Sequence, residues 1–121
     1  MKRSPLRLFG AAAASLLAGA ALAHAFLNRA EPPVGSTVSG SPSEIRLFFS
    51  EAIEPRFSGI ELIAIDGQPV KTGSASVDPR DQMQFVLPVP ALPAGRYKVI
   101  WHVVSVDTHP TEGDFTFEIR P

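Results

Sequence analysis

From Ala25 onward apolar residues recur at every second position, and no segment carries an apolar stripe at the three-to-four-residue spacing of a helix. Ile45, Leu47 and Phe49 alternate with Arg46, Phe48 and Ser50. The run Ile60-Glu61-Leu62-Ile63-Ala64-Ile65 stops at Asp66-Gly67, a pair suited to a tight turn. Met83, Phe85 and Leu87 repeat the pattern, and Phe115, Phe117 and Ile119 oppose Asp114, Thr116, Glu118 and Arg120. Between Arg96 and Val106 both faces carry apolar residues, with Tyr97, Val99, Trp101 and Val103 on one and Lys98, Ile100, His102, Val104 and Val106 on the other. A strand of that kind belongs in the middle of a sheet. The prolines from Pro32 to Pro110 fall between these runs, where a missing N–H breaks no ladder.

The pattern predicts an all-β fold of about seven short strands. Its form is a small antiparallel Greek-key β-sandwich or barrel, immunoglobulin-like or cupredoxin-like. The first 23 residues read differently. Lys2, Arg3 and Arg7 precede the apolar run Leu8 to Ala23, which ends in the small-x-small triplet Ala21-Leu22-Ala23. That is the layout of a secretory signal peptide, and the run is shorter than the roughly 20 apolar residues that span a bilayer. The basic pair is Lys2-Arg3 rather than Arg-Arg, which favours general secretion over the twin-arginine route. The expected organisation is therefore a signal segment, residues 1–23, and one domain, residues 24–121, exported to the periplasm with His24 as its first residue.

Hydrophobic residues make up 45% of the chain and charged residues 19%, a globular balance that excludes a disordered protein. The formal net charge is −1, but the first 23 residues hold three cations and no acid, so the remainder stands at −4. Nucleic-acid binding is not expected of such a surface. There is no cysteine, which removes disulfides, thiol nucleophiles, zinc fingers and thiolate copper sites. No Gly-x-Ser-x-Gly elbow or phosphate-cradling glycine loop is present. A metal would have to be held by nitrogen and oxygen.

Three histidines remain: His24, His102 and His109. His102 sits within the central strand beside Trp101 and reads as an ordinary strand residue. His24, once first in the chain, offers two nitrogens, its α-amine and its imidazole Nδ1, which together close a six-membered chelate ring on a metal ion. The α-amine loses its proton at about pH 7.7–8.0, so Cu(II) can displace that proton near neutrality. Asp107 and His109, in Val106-Asp107-Thr108-His109-Pro110, share a side if the backbone stays extended, as Pro110 favours for the residue before it. Alone, this Asp-x-His pattern more often marks a turn stabilised by an aspartate than a metal site. Joined to His24 it completes an amine, two imidazoles and a carboxylate, a set suited to tetragonal Cu(II). Cu(I) would lack soft ligands, since Met83 is the only methionine beyond Met1.

The chain resembles the CopC copper-resistance proteins, small exported Cu(II)-binding sandwich domains. The resemblance rests on His24-Ala25-Phe26-Leu27, Glu31-Pro32-Pro33, Leu47-Phe48-Phe49-Ser50-Glu51, Trp101 to Pro110 with its Val-Ser-x-Asp-x-His-Pro signature, and Gly113-Asp114-Phe115-Thr116-Phe117. It implies one Cu(II) per chain, held by His24, Asp107 and His109, with Glu51 orienting a ligand by hydrogen bonding. It also implies a monomeric, non-enzymatic role in copper homeostasis and resistance, with a CopD-like membrane copper-transport protein as partner. The methionine-rich loop of some members is absent, so a two-copper relay is not expected. Two other classes fit parts of the pattern: a histidine-brace copper oxygenase, and a metal-free adhesion or scaffold sandwich.

Overall fold

The computed structural model describes residues 24–121, so the expected signal segment lies outside the described residues. Eight strands form: β1 (Leu27–Glu31), β2 (Thr37–Ser39), β3 (Glu44–Phe49), β4 (Gly59–Ala64), β5 (Ser76–Asp78), β6 (Asp81–Pro88), β7 (Gly95–Val104) and β8 (Pro110–Arg120). They build two four-stranded sheets, ordered β1-β3-β6-β5 and β2-β8-β7-β4. The inner faces follow from the alternation. Ile45, Leu47, Phe49, Phe85 and Leu87 of the first sheet are buried, as are Leu62, Val99, Val103, Phe117 and Ile119 of the second. Phe49 meets Trp101 edge-on across the interior, with ring centroids 5.2 Å apart, a favoured aromatic geometry.

The architecture is the expected β-sandwich, with two corrections. The described residues form eight strands where about seven are expected, because β2 and β5 are three residues each and too short to display an alternation. In addition, β2 runs parallel to β8, so the second sheet is mixed. β7 is central as expected, paired to β8 on one side and β4 on the other. Its outward residues do not enter a second core: Lys98 and His102 are exposed. Met83 and Val106, read as continuing apolar faces, are exposed near the ends of their strands.

Two glycines in the second sheet differ in what their missing side chain makes room for. A Cβ on Gly113 would stand 2.5 Å from Trp101 Cζ2, whereas one on Gly59 would stand 2.7 Å from His102 Cε1. The indole is locked in the core and the imidazole is exposed, so only the second neighbour can swing aside. We expect Gly113→Ala to cost about 1–3 kcal/mol through overpacking, and Gly59→Ala to stay within about 0.5 kcal/mol as a surface change. Urea unfolding of both variants measures this; equal losses would contradict it.

Three segments meet at one end of the sandwich. Ser50 N–H donates to Phe26 C=O at 2.9 Å, Val106 N–H donates to Ala52 C=O at 3.0 Å, and Ile53 bridges Ser105. The residues before β1, those after β3 and the β7–β8 turn are thereby tied together.

Candidate metal centre

The β7–β8 turn is built on Ser105, whose side chain points inward in step with Trp101 and Val103 and is 1% exposed. Thr108 N–H donates to Ser105 C=O at 2.8 Å, and Ser105 N–H donates to His109 C=O at 3.1 Å. Thr108 takes a left-handed φ of 72°, unusual for a β-branched residue. The extended geometry expected for Asp107 and His109 is therefore replaced by a tight turn. That turn nevertheless brings the pair together, with His109 Nδ1 3.4 Å from Asp107 Oδ1. The Ser105 hydroxyl donates to Asp107 Oδ1 and accepts from His109 N–H at 3.3 Å.

This arrangement shapes the electrostatics. The Ser105 hydroxyl holds the Asp107 carboxyl below the usual carboxylate range; the nearby His109 imidazole acts in the same direction, against the opposing effect of partial burial. Asp107 is thus kept anionic. The His109 side chain is 43% exposed, yet its Nδ1 is buried and has no hydrogen-bond partner. An unpaired buried ring nitrogen beside a carboxylate costs stability unless something else occupies its lone pair or its proton. Two donors each about 2.0–2.2 Å from one ion stand roughly 2.8–4.4 Å apart as their angle opens from a right angle to a straight line. The observed 3.4 Å separation lies within that range.

His24 stands beside this pair, its ring centroid 5.0 Å from that of His109 and tilted by 44°. The strand ladder does not hold it, since β1 begins at Leu27. Instead, Ser50 Oγ accepts from Phe26 N–H at 2.8 Å and donates to His24 C=O at 3.4 Å, while Thr111 Oγ1 donates to Ala25 C=O at 3.0 Å. Ala25 is buried below them.

The structure thus brings His24, Asp107 and His109 to one end, with His109 beside each of the other two. Among the described residues no three His, Cys, Asp or Glu side chains already converge on a single point. In the full chain the His24 nitrogen is still a peptide amide joined to Ala23. His102 is apart from the group, on the outer face of β7 with its ring over Gly59. Glu51 is half-buried at the bend after β3 and makes no side-chain hydrogen bond or ion pair among the described residues. The hydrogen bonding at this position comes from its neighbour Ser50. Ser50, Ser105 and Thr111 had no role in the sequence reading. Ser105 carried a usable signal, because a serine two residues before an aspartate commonly closes a local turn.

Residues 27–120 match the CopC domain. The chain is 38% identical over 107 residues to Protein YobA of Escherichia coli strain K12, covering 88% of this chain and 86% of that protein. It is 36% identical over 115 residues to copper resistance protein C of Pseudomonas syringae pv. tomato, covering 90% of each. The crystal structure of CopC from Methylosinus trichosporium OB3b aligns with a TM-score of 0.77 at 32% identity, over 81% of this chain and 95% of that one. With a family match across nearly every residue of both sheets and relatives similar over almost their whole length, the chain belongs to the CopC domain family.

Proposed function

We propose that the chain is an exported, periplasmic copper-binding protein that holds one Cu(II) at the end of the sandwich and buffers it or passes it to a membrane partner. The ligands are the His24 α-amine and imidazole, the Asp107 carboxylate and the His109 imidazole. One observation carries the reading: the buried, unpartnered Nδ1 of His109, 3.4 Å from Asp107 and beside the His24 ring. The name of the Pseudomonas syringae relative, copper resistance protein C, supports copper as the cargo, and the all-nitrogen-and-oxygen donor set favours Cu(II), which heads the affinity order of the divalent first-row metals. Removal of residues 1–23 frees the amine, so cargo binding follows export. Glu51, flanked by the residues that grip Phe26 and Val106, is the carboxylate at hand to orient a ligand. The half-exposed Asp107 and His109 side chains leave the ion within reach of an acceptor such as a CopD-like membrane protein.

Reduction tests this reading against a catalytic one. Cu(I) prefers soft donors, and the sole thioether outside the signal segment, Met83, lies on β6. Ascorbate should therefore release copper from the loaded protein to a chromophoric Cu(I) chelator, without sustained oxygen consumption. Copper retained against modest chelator concentrations, or steady oxygen uptake with excess reductant, would contradict a Cu(II) carrier.

A further inference from the structure

We infer that Thr111, together with Ser50, positions His24 for metal binding, so that the affinity of the site is set partly by two hydroxyls that touch no metal. This rests on the copper reading above. Before β1 the backbone keeps one bond to the β3 side, Ser50 N–H to Phe26 C=O, and three consecutive residues there are also held by side-chain hydroxyls. Ser50 takes His24 C=O and Phe26 N–H, and Thr111 takes Ala25 C=O between them. The two hydroxyls come from opposite sheets: Ser50 follows β3, and Thr111 belongs to β8. Thr111 is also two residues from His109, on the same strand end. The shortest route from one histidine to the other therefore runs His109, Pro110, Thr111, across one 3.0 Å hydrogen bond to Ala25, and back one residue to His24. Loss of that bond detaches the arm from the strand that fixes its partner. A ligand that must be ordered on binding contributes less affinity than one already in place.

The test uses protein expressed as the full chain and exported, its N-terminus verified by mass spectrometry. Thr111→Val keeps the shape and β-branching of the side chain and removes the donor. In metal-free protein the Ala25 amide should show a rigid order parameter of about 0.85, falling below about 0.6 in Thr111→Val and recovering in Thr111→Ser, while the Phe26 amide, still held by Ser50, stays rigid. Cu(II) affinity, measured by chelator competition, should fall about tenfold in Thr111→Val and recover in Thr111→Ser. In a His24→Ala background the same change should alter affinity less than about twofold. Unchanged order parameters would overturn the inference, as would a tenfold loss that persists in the His24→Ala background, which marks a general structural effect. If His24→Ala binds copper as well as the native protein, the copper reading itself fails, and the order parameters still judge whether Thr111 holds the arm.

Discussion

A protein that begins a few residues before His24 is expected to bind Cu(II) at least a hundredfold more weakly than one that begins at His24, a difference of about 2.7 kcal/mol. The reason is covalent. Peptide-bond resonance delocalises the nitrogen lone pair, so an amide at His24 is a poor donor where a free amine is a good one, and the six-membered chelate cannot close. A suitable variant inserts Thr-Pro-Thr-Gly between Ala23 and His24. The proline in second place has no amide N–H, which keeps the new terminus from building a copper chelate of its own. The fold should be unaffected, because every strand among the described residues lies at or beyond Leu27. Circular dichroism checks the β content, and chelator competition gives the affinities; equal affinities would remove the amine from the ligand set.

His109→Ala is expected to lower Cu(II) affinity by at least a hundredfold, and Asp107→Ala by about tenfold. Imidazole nitrogen suits Cu(II), whereas carboxylate oxygen suits harder ions, so the histidine should occupy the stronger position. The geometry adds a second reason. The Ser105 hydroxyl already donates to Asp107, so part of that carboxylate's charge is engaged before a metal arrives, whereas the His109 Nδ1 makes no hydrogen bond. Loss of Asp107 also leaves Ser105 and the turn backbone bonds in place. The same competition titration compares the two variants. Equal losses would make Asp107 a full equatorial ligand.

Most of the fold was legible because its long strands obey a period of two. In β8, Phe115, Phe117 and Ile119 are buried and Asp114 and Thr116 are exposed, as their alternation requires. β2 was not legible: Thr37-Val38-Ser39 has one apolar residue, and its parallel pairing to β8 is decided by tertiary packing. Asp107 and His109 were found by spacing, although the backbone that unites them is a turn with Thr108 at positive φ rather than an extended segment. The hydroxyls that arrange the site were hidden for a plain reason. Thr111 acts on Ala25 across 86 residues and Ser50 acts on Phe26 across 24, and no local pattern in a single sequence records such a partnership.

Electron paramagnetic resonance with nitrogen hyperfine resolution, on exported protein loaded with one equivalent of Cu(II), decides whether the ion is held by the amine and imidazole of His24 together with Asp107 and His109. With that ligand set a tetragonal Cu(II) signal coupled to three nitrogens is expected, one of them lost in the Thr-Pro-Thr-Gly insertion and another in His109→Ala. Identical nitrogen couplings in the native and inserted proteins, or a spectrum indistinguishable from copper free in buffer, would contradict it.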